Sequence, residues 1–168
     1  MTLLEVMVVL TIIGVILSFA VLRVGDRGQS EALRREAERF GALVSMAQEQ
    51  AILEGREYGV AVEDDGYTFS VLSDDDWRPL ESDDLFRERR LPEGVAMELE
   101  AEALKVDLTR SETARDPQEP ELEPQILVLS SGELTPFGLT LYTQDTELAY
   151  QVQGKADGSL TVERVPSP

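Results

Sequence analysis

From Val6 to Leu22 the chain is an apolar run relieved only by Thr11, Gly14 and Ser18, and the one ionisable side chain before Arg23 is Glu5. Wound as an α-helix, 22 residues reach about 33 Å, enough to cross a hydrocarbon core of roughly 30 Å. A helix buried in a water-soluble domain would show a polar face at helical period, and this run has none. Residues 1–22 are therefore expected to cross a membrane. A secretory signal peptide would need a basic segment ahead of a shorter apolar core and a small-residue cleavage site. No positive charge precedes the run, and Ala20-Val21-Leu22 is a poor cleavage site. An ordinary single-pass anchor is the plainer alternative, but such an anchor has no use for Glu5. A carboxylate within a span costs on the order of 3 kcal/mol at the centre and less near an end, so it marks a partner. The nearest one is a free amino terminus, if Met1 begins the mature chain.

The rest of the chain narrows the chemistry. With 33 acidic and 15 basic residues, the net charge of -18 opposes a nucleic-acid ligand, whose phosphates call for lysine and arginine. It also offers no basic patch to anionic lipid. Cysteine and histidine are both absent. Disulfides, thiolate chemistry, serine–histidine and cysteine–histidine triads and nearly every zinc or copper site go with them. Neither a catalytic site nor a metal or other cofactor is expected.

Gly25, Asp26 and Gly28 should loosen the helix beyond the span, each glycine costing up to about 1 kcal/mol against alanine. A second helical pattern is expected from Ser30, as N-cap, to Gly55, as C-cap. Leu33, Ala37, Phe40, Val44, Ala47 and Ala51 recur at steps of four and three and form one apolar stripe, while Arg34, Arg35, Glu36, Glu38, Arg39, Glu49 and Glu54 are placed on the opposite face. The plain reading of the stripe is core packing against a sheet.

After Gly55 the period changes to two. Strands are expected at Tyr58 to Val62 and Tyr67 to Leu72, joined by a turn at Glu63-Asp64-Asp65-Gly66. Further strands are read at Val95 to Leu99, Gln125 to Leu129, Gly138 to Thr143, Glu147 to Gln153 and Ser159 to Val165, with turns at Gly132, Asp145 and Asp157-Gly158. Some seven short strands behind one long helix predict an α+β domain with two small antiparallel sheets. Three regions follow: residues 1–22 as membrane segment, 23–55 as the amphipathic continuation of that helix, and 56–168 as a β-rich domain. Within the last, acidic Lys105 to Pro124, with its prolines, is read as an exposed loop. Trp77, beside Asp74, Asp75 and Asp76, is either the cover over the edge of a small core, the commoner role, or an exposed anchor for a partner. The clusters Asp74 to Asp76 and Asp83-Asp84 match no calcium loop of defined spacing and read as solvated charge.

Thr2-Leu3-Leu4-Glu5-Val6-Met7-Val8-Val9-Leu10 resembles the start of a mature type IV pilin or pseudopilin. Three stretches of the domain resemble the H-type minor pseudopilins of type II secretion and a related minor pilin family. They are the hairpin from Tyr58 to Leu72, then Trp77-Arg78-Pro79-Leu80 followed by Arg87 to Val95, and finally Ile126 to Leu141 through Ser131-Gly132-Glu133-Leu134-Thr135-Pro136. Met1 departs from the usual phenylalanine, and Leu22 stands where the major subunit usually has a helix-bending proline.

The resemblance implies a long helix packed on antiparallel sheets, and a structural rather than enzymatic role. A prepilin peptidase would expose and methylate the amine of Met1. Thr2, Leu3, Leu4 and Glu5 would serve filament assembly, with Glu5 neutralising a subunit's amine. The implied partners are the major G-type and the minor I, J and K pseudopilins, with no nucleic acid. The implied location is the bacterial inner membrane, with the carboxy-terminal domain in the periplasm. The implied role is to link the tip complex of the pseudopilus to its shaft. The alternative is a minor pilin of a type IV pilus or DNA-uptake system.

Overall fold

The computed structural model describes residues 3–80, 84–102, 104–106, 108, 123–144 and 147–168, with the backbone alone for 17–27 and 29. A helix, α1 (Leu3–Glu54), precedes ten strands among these residues. They are β1 (Tyr58–Glu63), β2 (Gly66–Ser73), β3 (Asp76–Pro79), β4 (Arg89–Arg90), β5 (Val95–Ala101), β6 (Leu104–Val106), β7 (Ile126–Val128), β8 (Phe137–Thr143), β9 (Leu148–Gly154) and β10 (Leu160–Pro166).

The loosening expected at Gly25, Asp26 and Gly28 does not interrupt the helix. α1 runs without interruption through Gly25, Asp26, Gly28 and Ser30, so Ser30 is an interior helical residue and not an N-cap. Two glycines cost too little to stop a helix already propagating on both sides of them. The helix ends where expected. Gly55 takes a φ of 65°, its N–H reaches the carbonyl of Ala51 at 2.9 Å, and the Arg56 N–H shares that acceptor at 3.2 Å. Glycine is the residue that adopts this left-handed cap without a Cβ penalty.

Two five-stranded antiparallel sheets take up the strands. One runs β3-β2-β1-β7, with β4 beside β2, and the other runs β10-β9-β8-β5-β6. The second half of α1 lies against β9 and β10 of one sheet and β1 and β7 of the other, so the core forms where its stripe meets both. Leu33, Ala37, Phe40, Val44, Ala47 and Ala51 are all fully buried, as the periodicity predicts. Each large apolar side chain sealed in this way contributes about 1.5–3 kcal/mol. Phe40 is the hub, meeting Tyr67 edge-on at 5.0 Å between ring centroids and Phe137 at 6.1 Å.

Three differences from the sequence reading have physical causes. Glu36, assigned to the solvent face, is buried. It lies three residues after Leu33 and four before Phe40, which puts it on the flank of the same stripe. Strand β3 was not anticipated, because its hairpin turns on Asp74 and Asp75 with φ of 54° and 68°, where Asn-Gly would have been the usual signal. Lys105 and Val106, read as the start of a loop, instead pair with β5 as part of β6. Most of that loop, residues 109–122, lies outside the described residues, as do Asp83 and the turn residue Asp145.

Candidate functional site

Every side chain from Leu3 to Ile16 is exposed, including Leu3 at 81% and Leu4 at 71%. Among the described residues α1 buries nothing before Leu33. The one hydroxyl in this stretch is satisfied internally, since Thr11 Oγ1 donates to the carbonyl of Met7 at 2.8 Å. From Val6 to Ile16 the result is a helical surface that is apolar on every side apart from Thr11, a state that calls for lipid or another apolar surface to cover it. Among the described residues no helix is long and apolar enough to cross a membrane, and the side chains of 17–22 at the end of the expected span lie outside them.

Of the residues expected to serve assembly, Leu3, Leu4 and Glu5 share the first described turn of α1, with Glu5 exposed. A carboxylate there complements the positive end of the helix dipole. Met1 and Thr2 lie outside the described residues.

A polar contact sets the helix against the sheet. Glu36 Oε1 accepts a hydrogen bond from the Tyr67 hydroxyl at 2.8 Å, and Glu36 Oε2 accepts one from Arg39 Nη1 at 2.9 Å. Burial first, and the Glu36 carboxylate second, push the Tyr67 phenol well above its usual range, so it remains a donor. A buried carboxylate needs such partners, and supplying them requires one register of α1 on β2. Sequence reasoning missed this pair; the available signal was the place of Glu36 between Leu33 and Phe40.

Trp77 stands on β3, half-buried, and an edge of its indole lies over Gly59 of β1. A shallow cleft of about 380 Å³ opens beside it, lined by Asp75, Asp76, Trp77, Glu123, Pro124 and Leu127. Asp74 at the same turn is engaged elsewhere, pairing with Arg78 at 3.0 Å. Among the described residues no group of three or more carboxylates is placed to hold a metal ion. The first turn of α1 has no part in this cleft, so the predicted site residues fall on two separate surfaces.

Comparison with known proteins agrees with this architecture. The family described as Type II transport protein GspH matches residues 36–158. Type II secretion system protein H of Pseudomonas aeruginosa is 37% identical over 150 residues, 87% of this chain and 84% of that protein. Its counterpart in Aeromonas hydrophila is 34% identical over 159 residues, 93% and 87% of the two chains. The crystal structure of the minor pseudopilin EpsH from the type II secretion system of Vibrio cholerae superposes with a TM-score of 0.65 at 27% identity, covering 82% of this chain and 96% of that one.

Proposed function

The chain belongs to the type II transport protein GspH family, the H-type minor pseudopilins of type II secretion, and from that membership we propose that it is built into a pseudopilus through its first helix. The observation that carries this reading is the uncovered apolar surface of α1 from Leu3 to Ile16, headed by Glu5. Among the described residues α1 is buried by its own domain only from Leu33 onward, so the cover for Leu3 to Ile16 comes from elsewhere. Before assembly that cover is the inner membrane, crossed once by residues 1–22, with residues 56–168 in the periplasm. After assembly it is the equivalent helices of other pseudopilins.

In this reading Met1 carries the amine exposed and methylated by the prepilin peptidase, and Thr2, Leu3 and Leu4 pack beside it. The Glu5 carboxylate pairs with such an amine. An unpaired charge in an apolar bundle is costly, so the pairing selects one stagger between subunits. The subunit joins the tip formed by the I, J and K types to the G-type shaft, and its work is structural rather than catalytic. Replacing Glu5 by alanine tests this. Assembly into sheared filaments and export of folded proteins should both be lost while the carboxy-terminal domain keeps its fold, and normal export by the variant overturns the reading.

A further inference from the structure

We infer that the cleft beside Trp77 receives an arginine side chain from a partner protein. The inference rests on the reading of the chain as an assembly subunit and adds a second contact surface, on the outer side of the sheet that contains β1.

Trp77 and Pro124, which line the cleft, are seated by a close approach to β1. Gly59 is buried, and a Cβ at that position would stand 2.6 Å from Pro124 Cβ and 2.9 Å from the indole of Trp77. Only glycine lets the indole and the proline close over β1 in this way. Leu127 continues the apolar lining, and Asp75, Asp76 and Glu123 form the rim. All three carboxylates are exposed, and among the described residues none of them joins an ion pair, in contrast with Asp74.

That combination selects among possible occupants. An anionic group would meet three carboxylates on a chain of net charge -18. A purely apolar side chain would desolvate the rim carboxylates without returning a hydrogen bond to them. An arginine satisfies both parts: its stem lies along Pro124 and Leu127, and its guanidinium is weakly hydrated. That flat group can stack on the Trp77 indole while donating to a rim carboxylate through two parallel N–H groups.

Trp77 is the single tryptophan, so indole emission reports this cleft alone. The full chain, held in nonionic detergent at low salt, is titrated with acetyl-Gly-Arg-Gly-amide and with the citrulline peptide of the same shape but no charge. The expected result is a saturable emission change with the arginine peptide. Binding of the citrulline peptide should be weaker by roughly fivefold or more, and added salt should weaken the arginine complex. The double variant Asp75→Asn/Asp76→Asn keeps the hairpin, because asparagine accepts the positive φ that Asp75 holds, and it should weaken arginine binding by a similar factor. Equal binding of the two peptides, undiminished binding by the double variant, or no saturable change with the arginine peptide would each overturn the inference. Any of these failures leaves assembly through Glu5 untouched. Loss of the Glu5 reading with the peptide result intact would leave the cleft an arginine site on a chain that assembles differently.

Discussion

The hydroxyl of Tyr67 on β2 donates a 2.8 Å hydrogen bond to the carboxylate of Glu36 on α1, joining helix and sheet inside the core. It is a contact between side chains 31 positions apart, and it fixes both how far and at what rotation the helix lies on its sheet.

The first prediction concerns this pair. A hydrogen bond to a charged group contributes about 1.5–3 kcal/mol, so Tyr67→Phe should lower the unfolding free energy by that order. Glu36→Gln should also destabilise the domain, and the double variant should cost less than the sum of the singles. Urea unfolding of the four proteins measures the coupling; strict additivity would mean that the Tyr67 hydroxyl gains nothing from the charge of Glu36.

Stability should also fall in alkali for a reason specific to Tyr67. Its folded-state pKa is raised above the ordinary 10.0 by burial and by Glu36. The unfolded chain gives up the phenol proton from about pH 10 while the folded chain retains it. The Tyr67 contribution is thus complete below pH 10 and drains away as pH rises toward the folded value. Urea midpoints at pH 8 and pH 11 should differ more for the natural chain than for Tyr67→Phe. An equal loss in the two would place the alkaline sensitivity elsewhere.

A third expectation concerns Glu57, which bridges the end of α1 to the loop after β7. Its two carboxylate oxygens accept from the Ser130 N–H at 2.8 Å and the Ser130 hydroxyl at 2.9 Å. Glu57→Ala removes both acceptors and should cost about 1–3 kcal/mol, while Glu57→Gln retains one and should lose less. Thermal melts rank the two variants, and the opposite order would contradict this account.

At the helix terminus, Gly55→Ala should destabilise the domain by about 1–2 kcal/mol, because φ is 65° there and a Cβ meets the left-handed penalty. Gly28→Ala, inside the helix with nothing within 4 Å of the added methyl, should be neutral or stabilising. Unfolding midpoints of the two variants test both statements, and a destabilising Gly28→Ala would mean that the helix yields near that point.

The apolar run, the stripe from Leu33 to Ala51 and most strands are legible in the sequence, since each is written in local periodicity. The place of Glu36 between Leu33 and Phe40 is a local signal of burial, but its partner is not legible, because periodicity cannot see that Tyr67 waits opposite. Strand β3 was hidden for a related reason. Its turn uses Asp74 and Asp75 in a conformation more often signalled by Asn-Gly, and Trp77 becomes a strand residue only by pairing with Leu72. The partner role expected of Trp77 rests on its being a lone aromatic among acids; its seat over Gly59 and the contribution of Pro124 require the folded sheet.

What the sequence determined by itself is whatever depends on neighbours within a turn or a strand. That covers an apolar helix surface with one carboxylate, an amphipathic continuation, a glycine stop and an α+β order of elements. Those features follow from hydrophobic spacing and backbone preference, which act over a few residues. Only the tertiary structure decided which polar groups are buried and with whom, and which loops meet to form a cleft. Glu36 with Tyr67 and Glu57 with Ser130 are contacts across 31 and 73 positions, and Trp77 and Pro124, 47 positions apart, line one cleft. Such pairings are set by the shared packing of helix and sheets, and no local pattern encodes them.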